Sequence, residues 1–461
     1  MENFNLVTFF VLIFLLINLF IGIWAGRGVK TIEDYAIGKK NWSTGALSMT
    51  YIATLLTGGA VLRAPVNVKN IGIYAVFGVL GYLISLPFRY FFFSKKGHFL
   101  KKYISFGDIF EDLYGKLAKK ISSTIAIIFT IIMFSMELCV LALLLEKIGF
   151  NSNFSYIISS IILSTYTIIG GINSSVVTSI IKFIFIFLSI FIILNVCVYK
   201  VGGVSNLFDK NTLQHFLVLD KKNFPYIISM FFFNSVFSTD TFWPASIKRI
   251  FTVKNANQLK YLFLFSALAW FLFASSLIVL AISIYKLSNG QEKTVFFFIE
   301  NFLSENYKII IVLGILSFIL SSANSFLHTI IILFINDLGP TKLKNNITLR
   351  IITGFFFSFL SIFLAKKGSA FFRLDYLNGI ISPTLSPTLT LFFLNKRPNK
   401  NLFYISSGLG VFLFLVFKLN FLGEFFSNYS ILISSFVSMI ILCSPFVKDF
   451  FDTIFNSKNE N

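Results

Sequence analysis

Thirteen apolar stretches alternate with polar intervals along the chain, at approximately 6–26, 44–62, 70–93, 122–145, 153–170, 174–199, 225–247, 261–286, 306–335, 347–365, 374–395, 402–417 and 427–446. Several come near the roughly 20 residues that make a helix about 30 Å long, the thickness of a bilayer's hydrocarbon layer. The stretches at 153–170 and 402–417 are shorter and fit tilted or partly interfacial helices. The pattern predicts an all-α polytopic membrane protein of thirteen transmembrane helices, give or take one. No polar interval is long enough for a second, soluble domain, so one compact bundle is expected.

The intervals carry elements of their own. Between 95 and 120, Phe106, Ile109, Phe110, Leu113, Tyr114 and Leu117 recur at helical spacing. That spacing predicts an amphipathic helix, lying either on the membrane surface or against the protein. Residues 200–224 and 287–305 form longer intervals, and Val295–Ile299 in the second predicts a short helix over the outer mouth.

Two spans depart from the pattern of a lipid-facing helix. Residues 48–66 hold Thr50, Thr54 and Thr57, then Gly58–Gly59, then Arg63 and Pro65. Residues 232–249 hold Asn234, Ser235, Ser238, Thr239, Asp240, Thr241 and Pro244 before Lys248–Arg249. An opened helix leaves carbonyls without partners, at several kcal/mol per group in hydrocarbon, so it persists only beside protein, water or an ion. Broken spans within a bundle point to a carrier's central site. The alternative is a pair of kinked packing helices, with Gly58 and Gly59 allowing close contact.

A third element is Ile315–Thr329. Helical spacing puts Ser322, Ser325 and Thr329 on one face and Ser321, Asn324 and His328 on the next. Hydroxyls there, opposite carbonyls released around Ala53 and Leu56, suit a hard monovalent cation. Alternatively, each serine satisfies a carbonyl of its own helix.

Composition agrees with the span pattern. Only 13% of residues are charged and mean hydropathy is +0.82. The 62 Phe are spread evenly and read as compositional bias. A net charge of +19 would suggest nucleic acid for a soluble chain. Here the basic residues sit in loops between spans, so nucleic acid is not an expected partner and membrane lipid is. With the N-terminus outside, 25 Lys and Arg fall inside and 14 outside, which places the C-terminus in the cytoplasm. Cys139, Cys197 and Cys443 lie in apolar runs and make neither a disulfide framework nor a metal site. The first span has no basic flank or small-residue cleavage pattern and is expected to be retained. No paired carboxylates, metal cluster or activated nucleophile appear, so enzymatic catalysis and a bound cofactor are not expected.

Three motifs carry a family resemblance over almost the whole length. Asp34-Tyr35-Ala36-Ile37-Gly38-Lys39-Lys40 resembles the Asp-Tyr-x-x-Gly-Gly-Arg segment of the sodium:solute symporter family. Tyr166-Thr167-Ile168-Ile169-Gly170-Gly171, followed by Val176-Val177-Thr178, is similar to its Tyr-Thr-x-x-Gly-Gly run. Lys248-Arg249 with Lys254-Asn255-Ala256 resembles the segment after its broken sixth core helix. The resemblance implies a leucine-transporter-type inverted-repeat core at 44–395, preceded by a helix and inner loop at 1–43 and followed by helices and a short cytoplasmic tail at 396–461.

It further implies a sodium site made of carbonyls at Ala53 and Leu56 together with Ser322, Ser325 and the side chain at 326. Phe326 stands where relatives supply a second hydroxyl, Ser179 where many carry Asp, and Lys182 near their Gln. The implied function is sodium-coupled uptake of a small organic solute such as an amino acid, by a monomer in the cell membrane. The alternatives are a proton-coupled or uncoupled carrier, or a nontransport protein retaining the fold. Glu137 is the first candidate for a coupling proton. Thr54, Thr57 and Arg63 near the first break, and Asp240, Phe242 and Trp243 near the second, are the solute-side candidates. Arg63 suits a solute carboxylate, or else an ion pair at the outer mouth.

Overall fold

The first long helix, α1 (Leu6–Ala25), is followed by a single turn, α2 (Ile32–Ala36), and by α3 (Thr44–Leu55) and α4 (Gly58–Ile71) in close succession. Next come α5 (Phe106–Tyr114), α6 (Lys116–Lys147) and the 50-residue α7 (Ser152–Val201). The second half of the chain forms α8 (Pro244–Phe251), α9 (Ala256–Leu287), α10 (Val295–Phe302), α11 (Glu305–Ile332), α12 (Ile347–Lys366), α13 (Leu374–Phe393), α14 (Lys400–Lys418) and α15 (Ser430–Ser457). The computed structural model describes residues 6–38, 42–77, 102–217, 243–291, 294–366, 374–394, 396–419 and 422–457, with parts of 80–91 and 224–231. Among these residues the regular structure is helical throughout.

Seven of the described helices are long and apolar enough to cross a membrane: α1, α6, α7, α9, α11 with its extension to Leu338, α12 and α14. Shorter apolar helical stretches lie at Ile380–Phe392 and Ser430–Phe446. The predicted span at 225–247 falls largely, and that at 70–93 partly, outside the described residues, and Asp240 and Phe242 lie outside them. The spans at 153–170 and 174–199 are the two arms of α7. They meet at Gly171, whose φ of 52° and ψ of −134° interrupt the helix. A Cβ at Gly171 would lie 2.5 Å from the Tyr35 carbonyl oxygen, so both the backbone conformation and the space there call for glycine.

The bundle is arranged around α11. Of its apolar window 89% is buried and of α6's 83%, against 39% for α1 and α12, so α11 and α6 form the centre and α1 and α12 the periphery. α1 meets α7 backbone to backbone: a Cβ on Gly26 would stand 2.5 Å from the Gly170 Cα.

Past Ile332, α11 widens into a π-helical turn at Leu333–Leu338 that carries Asn336 and Asp337. This turn is tied to α5 and α6. Asp337 accepts from Ser105 Oγ at 2.5 Å and from Ser123 Oγ at 2.7 Å. Lys119 Nζ reaches Asp108 Oδ1 at 2.6 Å and Glu111 Oε2 at 2.7 Å. Ser105 and Asp108 form a capping box that opens α5. Burial pushes the Asp108 carboxyl up, but the bond and charge of Lys119 and the amides of Ser105 and Ile104 outweigh it. The carboxyl is held below the usual range.

The apolar face predicted on α5 is turned toward protein. Phe106, Ile109 and Phe110 are buried, and Tyr114 stacks on Phe403 with centroids 4.7 Å apart. Of the predicted face, Leu117 alone is largely exposed, beyond the Gly115 that ends the helix with φ 89°. The short helix expected at Val295–Ile299 is α10, with Val295, Phe298 and Ile299 buried.

Candidate functional site

The span at 44–62 is interrupted. α3 ends at Leu55, Leu56 is extended at φ −84° and ψ 101°, Thr57 is also extended, and α4 starts at Gly58. Two groups satisfy the amides that open α4. Thr57 Oγ1 accepts from Ala60 N at 3.3 Å, and Glu137 Oε2 accepts from Gly58 N at 3.1 Å. A carboxylate at a helix start also complements the partial positive charge there. The second group was not legible locally, because Glu137 comes from α6, 79 residues away. The glycine pair matters for contact: a Cβ at Gly58 would meet Ile319 Cγ1 at 2.3 Å and Glu137 Oε2 at 3.0 Å.

The break faces α11. Thr54 Oγ1 and Ser325 Oγ lie 2.9 Å apart, joining the last turn of α3 to the middle of α11. Ala53 and Leu56, whose carbonyls flank the break, are both buried. Ser322 hydrogen-bonds back to its own helix at Phe318 and Ile319, at 2.9 and 3.2 Å. Its hydroxyl is therefore engaged, as the helix-satisfying alternative expected. Phe326 is buried at 1% exposure. One turn before Ser325, Ser321 Oγ lies 3.2 Å from Ser179 Oγ on α7, and Ser179 reaches Thr50 Oγ1 at 3.4 Å. Hydroxyls from α3, α7 and α11 thus line one interior seam.

Three basic side chains lie beside that seam. Lys248 and Arg249, assigned by the sequence pattern to an inner loop, are 2% and 0% exposed on α8, and Lys182 on α7 is 0% exposed. Arg249 Nη2 donates to Ser325 Oγ at 2.7 Å and to Ser175 Oγ at 2.5 Å. Lys248 Nζ lies 2.6 Å from His328 Nδ1 and donates to Thr329 Oγ1 at 2.9 Å. Lys182 Nζ donates to Thr178 Oγ1 at 3.2 Å and stands 5.3 Å from the Tyr166 ring centroid. Among the described residues no carboxylate lies within ion-pair distance of these three, and Arg249 Nε and Nη1 have no hydrogen-bond partner. Asp240, the carboxylate nearest to Lys248 and Arg249 in sequence, lies outside the described residues.

The sequence motifs meet around the same helix. The His328 Nε2 lies 2.8 Å from the Tyr35 carbonyl oxygen, and Tyr35 OH donates to the Thr167 carbonyl at 3.1 Å. Tyr166 OH donates to the Leu320 carbonyl at 3.1 Å, and Thr167 Oγ1 donates to Asn324 Oδ1 at 2.7 Å. Trp243 caps α8 and packs on Phe129, with centroids 5.7 Å apart. Arg63 lies on α4, five positions beyond its first residue, with its side chain outside the described residues.

The sodium:solute symporter family profile matches residues 35–285, more than half of the chain, including the Tyr166–Gly171 motif and all of the first motif but Asp34. The chain belongs to the sodium:solute symporter family. Solved structures give the symporter the same fold. A sodium-coupled sialic acid symporter in a substrate-bound, outward-open state aligns over 96% of this chain and 98% of its own, at 18% identity and a TM-score of 0.81. MhsT in complex with L-phenylalanine aligns over 88% and 98%, at 16% identity and TM-score 0.57. Mhp1, a nucleobase-cation-symport-1 transporter in a closed conformation, aligns over 90% and 94%, at 11% identity and TM-score 0.59. No curated protein matches the chain. The symporter is thus a multi-pass membrane protein with the leucine-transporter-type fold that the family resemblance implied.

Proposed function

We propose that the symporter takes up a small organic acid or amino acid across the cell membrane by alternating access, driven by sodium. The observation that carries this reading is the Thr54–Ser325 contact, where an interrupted helix meets a hydroxyl-bearing one in the interior. Carbonyls freed at Ala53 and Leu56, with oxygens of Ser322 and Ser325, would hold the ion. Thr54, Thr57, Arg63, Asp240, Phe242 and Trp243 would line the solute's side of the breaks. The three buried basic side chains favour a solute that brings negative charge. The monomer would sit with its N-terminus outside and its C-terminus in the cytoplasm, following the loop charges.

A cation drives accumulation only if it binds one conformation more tightly than the other. Bound between α3 and α11, it would stabilise the state open to the outside, and its release inside would reset the carrier. The test is uptake by proteoliposomes across a panel of amino acids, monocarboxylates, sugars and vitamins. The expected result is concentrative uptake of a carboxylate-bearing solute that collapses when sodium is balanced. Uptake on a proton gradient alone would move the coupling to Glu137, whose carboxylate sits at the α4 start. No concentrative uptake of any solute would remove the carrier reading.

A further inference from the structure

We propose that the guanidinium of Arg249 is a tethered cation that occupies the coupling-ion position and competes with sodium for Ser325. The inference rests on the placement of the ion site between α3 and α11 and adds to it an occupant belonging to the chain itself.

A serine hydroxyl has one proton and two lone pairs. Three neighbours converge on Ser325 Oγ: Arg249 Nη2 at 2.7 Å, Thr54 Oγ1 at 2.9 Å and the Ser321 carbonyl at 3.0 Å. The Ser321 carbonyl takes a proton. Arg249 holds one lone pair and Thr54 Oγ1 faces the other, so a sodium ion ligated by that oxygen must displace one of these neighbours, and of the two only Arg249 carries a charge that opposes the ion. Arginine stays protonated in proteins, so the occupant carries a full charge. Two unit charges sharing one oxygen ligand repel at protein-interior dielectric by enough to lower affinity by roughly two decades. Sodium therefore binds Ser325 only as Arg249 leaves.

Arg249 is placed so that it can leave. Among the described residues, Nη2 is the donor that is engaged, with Ser325 and Ser175, while Nε and Nη1 have no partner. No described carboxylate anchors it as an ion pair. Its helix, α8, begins at Pro244, so a rotation of α8 carries the guanidinium with it. Ser175 on α7 acts as the tether that holds the side chain on the α11 side.

The test measures equilibrium binding of radioactive sodium to the purified, detergent-solubilised symporter without solute. It thereby separates this inference from the question of uptake: absent transport would count against the carrier reading and leave the binding result intact. Arg249→Gln is expected to lower the sodium Kd at least tenfold. Ser175→Ala keeps the charge but removes the tether, and is expected to lower Kd severalfold; it decides the matter if Arg249→Gln does not fold. Adding Ser325→Ala to Arg249→Gln is expected to abolish the gain. The proposal is overturned if neither folded single variant binds sodium more tightly than the parent. A gain that survives loss of the Ser325 hydroxyl also overturns it, because sodium would then bind elsewhere.

Discussion

Gly58 is where the interrupted helix restarts against α11, and Gly58→Ala probes that contact directly. The added Cβ would stand 2.3 Å from Ile319 Cγ1 and 3.0 Å from Glu137 Oε2. Carbon atoms in van der Waals contact sit about 3.5–4.0 Å apart, so relief requires more than ~1 Å of movement in a buried seam. Overpacking of this kind costs about 1–3 kcal/mol, offset by roughly 0.4–1 kcal/mol from the lower chain entropy of alanine. A net loss of about 1–2 kcal/mol is expected in chemical unfolding of the detergent-solubilised protein.

Ile319→Ala alone opens a cavity and costs about 2–5 kcal/mol. The two changes together place the new methyl in the space the isoleucine leaves, so the double variant is expected to beat the sum of the singles by about 1 kcal/mol or more. Effects that add to within about 0.3 kcal/mol, or a stabilising Gly58→Ala, would refute close contact between the α4 start and α11. The same methyl crowds the carboxylate that receives Gly58 N, so sodium affinity should fall alongside stability.

Phe326→Thr restores an oxygen beside Ser325 and is expected to steepen the sodium dependence of uptake severalfold; an unchanged response in a folded variant would count against the ion site proposed here. The Asp108 carboxyl, held low by Lys119 and two backbone amides, supports α5 above its unfolded value of about 4, and that support is lost as pH falls through the lower folded value. Hydrogen exchange over 104–114 should therefore accelerate on acidification toward pH 3, and Asp108→Asn should be faster already at pH 7. Exchange that does not respond to pH would remove Asp108 from the anchoring of α5.

The first interruption was legible because its chemistry is local. Gly58 and Gly59 mark the restart, and Thr57 is both the last extended residue and the cap. The division of α7 was legible for the same reason, since Gly170–Gly171 falls between two apolar runs and only glycine fits the bend. Lys248 and Arg249 were misplaced because hydropathy assigns charge to loops. Pro244 starts a helix immediately before them, and that helix turns both side chains inward, onto His328 and Ser325. The link between Glu137 and Gly58 joins separate helices and leaves no periodic trace. Periodicity narrowed α5 to two settings without choosing between them. The choice was made by Phe403, nearly 300 residues away, which supplies the ring that Tyr114 stacks on.

The polar knot at the end of α11 decides which part of the machine stays still. Asp337 and Asn336 lash this helix to α5 and α6 through Ser105, Ser123 and Asp108, and a buried lattice of that kind yields only as a whole. The rod that presents Ser325 is therefore a stator. Movement of α8 with its guanidinium, or of the two half-helices around Thr57, would be movement against that fixed rod, and Lys119 and Asp108 set how firmly it is held.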